Sequence, residues 1–401
     1  MRSSRVVAVT FVTLATFTDI VAYSIAVPVL PDLSRKLGAS PTMIGLLFAS
    51  FGVTLLTVSM PSGALSDRTG RKAPLVGGML LLVLASLLFA FADTLPWLFA
   101  ARLAQGAADA VTWVVGFALV ADLYPASERG RITGIVMMGT SFAFMIGPSI
   151  GGWLYELGGI RLPFVAVAVM AFVPMLAFLW LDIPAPPADH EPVPIGLVVR
   201  VPAVAMCAVA VVAIASTLSM LEPVLSLRLH DLGVDPARIG LVYGIAAIAT
   251  TTLHPLYGRA ADAWGARRMT TIGLALAACM LPILGRAWSF RSAVGLFVVH
   301  AACASMAITP SLAFMGEATS QAGVASFGVA YGLYNLAWGA GLLGGPALGG
   351  FLYERMGFTN LSLAWAPMLM IVSLVLSRVQ LGPSRRAECE PLQPSSPLDS
   401  F

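Results

Sequence analysis

Charge is scarce in this sequence. Asp, Glu, Lys and Arg make up 11% of its 401 residues, while 58% are hydrophobic; a soluble domain carries about 25% charged residues. That shortage excludes a soluble globular chain and implies repeated passage through a bilayer. Cysteine is nearly absent. Cys207, Cys279, Cys303 and Cys389 form no C-x-x-C pair, and three of them stand in apolar runs, which excludes a disulfide framework and a thiolate metal site. The four histidines show no ligand spacing, so no metal is expected. There is no G-x-S-x-G, no phosphate loop and no zinc signature, and the loops are too short for a nucleotide-binding domain. The expectation is therefore neither an enzyme nor a primary pump, with no cofactor. A net charge of +3 is too small to argue for nucleic acid.

What is present is apolar sequence in membrane-sized lengths. The opening stretch MRSSRVVAVTFVTLATFTDI resembles a signal peptide at first, but its apolar run continues past Asp19 to Pro31, too long for a cleaved segment and long enough for a first membrane helix. Twelve such segments are predicted, near 5–30, 42–65, 74–92, 96–122, 131–155, 161–182, 200–228, 236–258, 268–286, 289–315, 324–350 and 358–379. The stretch 183–199, PAPPADHEPVPIGLVVR, is expected to be a cytoplasmic linker, and 381–401 a disordered tail. The chain thus divides into an N-terminal half, 1–182, and a C-terminal half, 200–380. Lys and Arg are biased: with the N-terminus inside, 14 basic residues fall on cytoplasmic segments and 8 on outer ones, which predicts both termini in the cytoplasm.

The halves repeat one another. LGASPTMIGL at 37–46 matches LGVDPARIGL at 232–241, GALSDRTGRK at 63–72 matches GRAADAWGAR at 258–267, and GPSIGGWLYELG at 147–158 matches GPALGGFLYERMG at 345–357. The offset is nearly constant and the order is kept. Six helices per half give both halves the same orientation, the parallel-repeat architecture of secondary transporters, with the binding site at mid-depth between halves.

Ionisable residues inside membrane helices usually face the protein interior and pair with one another. Asp19, Arg102, Asp109 and Glu222 are of this kind. Asp19 and Glu222, one in each half, are the candidate carriers of a proton or a cationic substrate, because desolvation favours the neutral form of a carboxyl and a bound cation favours the ionised one. The competing reading is a static ion pair. Each acid precedes an X-Pro step, read as a helix break of the kind that marks transporter sites. Arg102 and Asp109 lie two turns apart on one helix face, and each has a coupling reading beside a structural one. Tyr23, Trp113, Tyr331, Tyr334 and Trp338 are candidates for cation–π contact, though such residues more often pack. His300, opposite Arg102 in the repeat, reads as a core histidine. Asn360-Leu-Ser is a glycosylation sequon that abuts a membrane helix.

The loop GALSDRTGRK resembles the signature loop of the major facilitator superfamily, through Gly63, Asp67, Arg68, Gly70, Arg71 and Lys72; its second-half copy keeps Gly258, Asp262 and Gly265. RLAQG, with Arg102, Gln105 and Gly106, resembles the family's helix 4 motif. GTSFAFMIGPSIGG, with Gly147, Pro148, Gly151 and Gly152, is similar to the helix 5 motif of its proton-coupled antiporters. Asp19 with VPVLP, and MLEPVL around Glu222, resemble the vesicular amine transporters and related drug:proton antiporters. The resemblance implies the major facilitator fold and a gating role for Asp67, Arg71 and Asp262, with Arg129 or Arg131 as ionic partner. It implies coupling roles for Asp19 and Glu222. Where those relatives carry further acids in helices 10 and 11, this sequence has Ser305 and Asn335, which leaves Asn335 as the remaining polar candidate.

The resulting expectation is an all-α membrane protein of twelve helices in two six-helix halves. It acts as a proton-coupled antiporter exporting a small cationic or amphipathic compound, a drug or metabolite, across the plasma membrane. The alternative is an amine:proton exchanger of a vacuolar or vesicular membrane. A second alternative is a non-transporting receptor or scaffold on the same fold. Its partners would be substrate, protons and the lipid bilayer, and a monomer satisfies the sequence.

Overall fold

The computed structural model describes residues 2–181, 183, 201–321 and 327–378. Most of the expected linker, the whole expected tail and the side chains of Arg129 and Tyr331 lie outside the described residues. The first half holds α1 (Arg2–Lys36), α2 (Pro41–Thr69), α3 (Lys72–Phe91), α4 (Leu95–Leu123), α5 (Ala126–Gly158) and α6 (Arg161–Trp180). The second begins with α7 (Pro202–Asp231), α8 (Pro236–Trp264), α9 (Ala266–Leu284) and α10 (Phe290–Gln321). The last element, Phe327–Arg378, is broken at Gly357, where φ is 73°, so it forms two spans, α11 (327–356) and α12 (358–378). Every regular element among the described residues is α-helical, and the twelve spans match the expected count.

The repeat is visible in the local chemistry. Gly38 and Gly233 take φ of 79° and 77°, closing α1 and α7 in the left-handed region that glycine reaches without strain. Two residues on, Ser40 and Asp235 cap α2 and α8 by accepting from the amides of Met43 and Arg238, and a proline fills the first helical position of each. The same sequence device thus starts the second helix of both halves.

The prolines within the spans do not act as the sequence suggested. α1 runs unbroken through Pro28 and Pro31, and α7 through Pro223. A membrane helix tolerates the lost amide bond because neighbouring helices and local adjustment satisfy the freed carbonyl. The expected breaks after Asp19 and Glu222 are therefore absent. Asp67 and Asp262, expected in loops, stand in the last turns of α2 and α8.

Within the first half α1 packs against α5, α4 and α6, while α2 and α3 pack on α4. The halves meet along two symmetry-related seams, α5 on α8 and α2 on α11. A Cβ added at Gly240 of α8 would lie 2.1 Å from the carbonyl oxygen of Pro148 in α5. A Cβ at Gly45 of α2 would lie 2.2 Å from that of Pro346 in α11. Gly45 and Gly240 are repeat equivalents, as are Pro148 and Pro346. Gly152 and Gly350 continue the seams, against Pro236 and against Pro41 with Gly45. The helix 5 motif is thus half of an inter-half contact: Gly147 and Gly151 seat α5 on Ser24 and Ile25 of α1, and Gly152 seats it on α8. Small residues permit such backbone approach in a bilayer.

Candidate functional site

The side chains that join the halves converge at two depths. At the end where α1 and α7 stop, Arg35 donates to His230 Nδ1 (2.8 Å) and to Asp231 Oδ1 (2.7 Å). Asp32 accepts from Tyr155 and pairs with Lys36 at 2.8 Å; His230 Nε2 stands 3.4 Å from it. Tyr353 donates to Asp231 at 2.7 Å, and Glu354 accepts from the amide of Thr42 at 2.9 Å. Arg35 and His230 are repeat equivalents, as are Tyr155 and Tyr353, so the pseudo-twofold axis passes through this cluster. The cluster ties the two halves together at one end of the molecule. Its charges are partly exposed, so each pair contributes no more than about 1 kcal/mol, and the glycine seams lie beside it.

Beneath it lies the second junction. Tyr23 of α1 donates its hydroxyl to Glu222 Oε2 of α7. Both residues stand nine positions from the acid that their own helix gives to the outer cluster, Asp32 and Asp231, about 13 Å of helix rise. Phe51 and Phe144 pack on the Tyr23 ring, with centroids at 4.9 and 6.1 Å. The Arg102 guanidinium lies 4.8 Å from the Tyr23 ring centroid, 4.9 Å from that of Phe48 and 5.1 Å from that of Phe51. Its Nη1 donates to Gln105 Oε1 at 2.7 Å, while Nε and Nη2 have no partner. A fully buried guanidinium is thus held by aromatic faces instead of by a carboxylate. Desolvated cation–π contacts are worth about 2 kcal/mol each, and the planar guanidinium suits such stacking.

Asp19 is 2% exposed and neither of its oxygens has a hydrogen-bond partner; Asp109 is 6% exposed and its Oδ1 has none. His300 is buried in α10 with both ring nitrogens unpartnered. Asn335 is exposed on α11 and no hydrogen bond ties it to the cluster. Ser305 bonds the carbonyl of Ala302 in its own helix. The structure therefore gathers Asp19, Arg102, Asp109 and Glu222 around the first-half helices α1 and α4 and leaves Asn335 apart. Trp113 stacks on Phe117 and Tyr334 on Trp338, centroids 5.2 and 6.2 Å apart.

At the end opposite the ionic cluster, Arg71 is buried and donates from Nε to Asp122 Oδ2 (2.8 Å), and from Nη1 to Ser66 (2.6 Å) and Asp67 (2.5 Å). Burial alone would lower its pKa, but the bonds to Asp122 and Asp67 outweigh that and raise it. Arg71 thus holds both Asp67 and Asp122. Of the two partners expected from sequence, Arg129 and Arg131, Arg131 is exposed on α5. Arg68 and Asp262 are exposed as well; Gly70 turns at φ 84°, and Gly63 packs on Val114 of α4. In the second half Ala266 stands where the repeat places Arg71. Asp122→Asn is expected to lower stability by about 2 kcal/mol, because it removes the buried one of the two carboxylates opposite a buried guanidinium and leaves Arg71 only the exposed Asp67. Thermal unfolding of the purified protein followed by tryptophan fluorescence checks this, and an unchanged midpoint contradicts it.

Sequence reasoning missed Asp122, the Phe48–Phe51 cage and the outer cluster. The repeat offset of 195 would have paired Arg35 with His230 directly. Nothing local marks Asp122 or the two phenylalanines.

The family model described as Major Facilitator Superfamily matches residues 12–222 and 205–395. A protein named probable vesicular acetylcholine transporter-B, from Danio rerio, is 28% identical, over 93% of this chain and 80% of its own length. The human MFS-type transporter SLC18B1 is 26% identical, over 91% of this chain and 83% of its own. Among solved structures, a bacterial homolog of the human lysosomal transporter Spinster, in an inward-facing and occupied conformation, superposes with a TM-score of 0.79. Its identity is 15%, over 94% of this chain and 98% of that one. The likeness shows the fold.

Proposed function

The chain belongs to the Major Facilitator Superfamily and is a membrane transporter, and from that premise we propose that it exchanges an organic amine for protons by alternating access. The observation that carries this reading is the bond from Tyr23 to Glu222. A carboxylate of one half is held, at mid-depth on the inter-half surface, by a neutral donor from the other. An ammonium group is a stronger partner for that carboxylate than a phenol, because hydrogen bonds between charged groups are roughly twice as strong as neutral ones. Amine entry therefore displaces Tyr23 and breaks the bridge between the halves at that depth. The aromatic faces of Tyr23, Phe51 and Phe144 then border the bound cation.

Under the basic-residue bias the end tied by the ionic cluster is the outer or luminal one, and our reading is of a state that takes its substrate from the cytoplasm. In that state an amine enters from the cytoplasm and leaves on the far side when the glycine seams part. The relative at 28% identity is named a probable vesicular acetylcholine transporter, and the one at 26% an MFS-type transporter. The first name favours accumulation of an amine into a vesicle or vacuole over export of a drug at the cell surface. Protons moving down their gradient drive either process.

Tyr23→Phe keeps the ring and removes the competitor for Glu222. It is expected to tighten amine binding about tenfold, the worth of roughly 1.4 kcal/mol from one hydrogen bond to a charged group. Equilibrium binding of radiolabelled acetylcholine and of a monoamine to the purified protein measures it. Weaker binding in this variant would instead make the hydroxyl a substrate ligand.

A further inference from the structure

Two buried acids, Asp19 and Asp109, stand apart from the Tyr23–Glu222 bridge. α1 and α4 run antiparallel in contact, and two pairs fix their register: the Tyr23 ring lies on Arg102, and the Cβ position of Gly116 lies 3.2 Å from Val12 Cγ1. On α1, Val12, Asp19 and Tyr23 share one face, since seven and four residues are close to whole turns. On α4, Arg102, Asp109 and Gly116 share one face at spacings of two turns. Both acids therefore lie on the surface where these helices meet, between the two anchors. Asp19 stands one turn from Tyr23 and Asp109 two turns from Arg102, which brings their levels within about one turn of each other. Three of their four carboxyl oxygens have no partner at ordinary hydrogen-bond geometry, with Thr112 beside Asp19 and Trp113 beside Asp109 as the neutral donors at hand.

The charged and titratable groups around them are few. Arg102 comes from α4, Tyr23 from α1 and Glu222 from α7. α2 and α5, which also pack here, have no ionisable residue between 41 and 66 or between 132 and 154. At this depth they bring Phe48, Phe51, Thr54 and Phe144. Arg102 is committed to the aromatic cage and to Gln105. Two adjacent carboxylates without a bonded counter-ion cannot both stay charged in a desolvated interface.

We propose that Asp19 and Asp109 form one carboxyl pair across the α1–α4 interface that holds the coupling proton, while Glu222 takes the amine. This rests on the exchange mechanism above and divides its two tasks between sites. Asp109 supplies within the first half an acid that the second half lacks at Ser305 and Asn335. The link between sites runs through two side chains. When an ammonium replaces Tyr23 at Glu222, the ring that supports Arg102 moves, and Arg102 turns toward the pair. The pair then releases its proton to water as H⁺, leaving two carboxylates opposite one guanidinium. Re-protonation from the opposite face restores the aromatic cage and frees the amine. No redox step or co-reactant is involved.

The probe is the proton itself, so the test does not depend on knowing the amine. Infrared difference spectra of the full chain in liposomes, recorded between acid and alkaline buffer, report protonated carboxyl groups. The wild type should show a carboxylic acid band that is lost in both Asp109→Asn and Asp19→Asn. The double variant should lose no more than either single one, because the band belongs to the pair. Glu222→Gln should retain it. A band that survives Asp109→Asn, two bands that disappear independently, or loss of the band in Glu222→Gln each overturn the assignment. Should Asp109→Asn fail to fold, Asp109→Glu keeps the acid and must keep the band with a shifted titration midpoint; an unshifted midpoint overturns the pair. Failure of amine exchange with the band behaviour intact would instead overturn the function proposed above.

Discussion

Glu222→Gln is expected to abolish gradient-driven amine transport while leaving the protein folded. The glutamine still accepts from Tyr23, so the bond that joins α1 to α7 keeps its geometry and stability changes little. The charge that attracts an ammonium is gone. A hydrogen bond between charged groups is worth about 1.5–3 kcal/mol, which converts to roughly tenfold to a hundredfold in affinity. Loss of the competition between cation and phenol removes the step that opens the bridge as well, so transport falls further than binding. Initial rates of amine uptake into proteoliposomes, with and without a proton gradient, measure this. Wild-type rates and wild-type pH dependence in this variant would remove Glu222 from the mechanism.

The second large effect concerns the seams. Gly240→Ala places a methyl group 2.1 Å from the carbonyl oxygen of Pro148, and Gly45→Ala one 2.2 Å from that of Pro346. Both obstacles are backbone, so neither can swing aside. Overpacking of this kind costs about 1–3 kcal/mol. The cost falls on the state in which these helices touch and spares the state in which they part. The population ratio between states in which these seams are parted and closed should then shift about tenfold for each 1.4 kcal/mol. Spin labels beyond the ends of α1 and α7, near Leu37 and Leu232, would report longer distances in either variant. Gly77→Ala is the control, since open space surrounds a Cβ there, and its distance distribution should match the parent. If Gly240→Ala leaves the distances unchanged, the seams are not what holds these helices together.

The architecture was legible because hydrophobic run length and an internal repeat are strong, redundant signals. Ser40-Pro41 and Asp235-Pro236 repeat a helix start, and the structure caps both helices there. Gly357 interrupts an otherwise continuous 52-residue helix, where the apolar pattern had already separated two spans. The site was legible in part. Acids and an arginine in apolar runs are conspicuous because a bilayer makes them costly, so Asp19, Arg102, Asp109 and Glu222 could be named. Their partners could not. Phe48 and Phe51 are ordinary in a membrane helix, and only tertiary packing makes them a cage for Arg102. Asp122 closes on Arg71 across 51 positions, a separation without local signature, and the sequence points to Arg129 or Arg131 as the ionic partner instead. Proline misled for a related reason: whether Pro28 or Pro223 breaks its helix depends on the neighbours that satisfy the freed carbonyl.

The seams and the outer cluster also explain why the sequence repeat is imperfect in a useful way. Arg35 meets its own equivalent, His230, on the pseudo-axis; identical residues there would place like charges together. The same argument applies at mid-depth, where the acid of the second half faces a tyrosine and the acid of the first half is displaced along its helix. Asymmetry in the charged positions, upon symmetry in the glycines, lets one seam design serve two halves with different chemistry.

One measurement bears most directly on the central claim that amine and proton exchange for one another. Purified protein is reconstituted in liposomes with a pH-sensitive dye inside, and organic amines and quaternary ammonium compounds are added outside without an imposed voltage. The account predicts proton efflux that starts on addition of a transported amine, saturates with its concentration, and is absent from Glu222→Gln liposomes. Amine accumulation with no proton flux, or proton flux equal in wild type and Glu222→Gln, would contradict it.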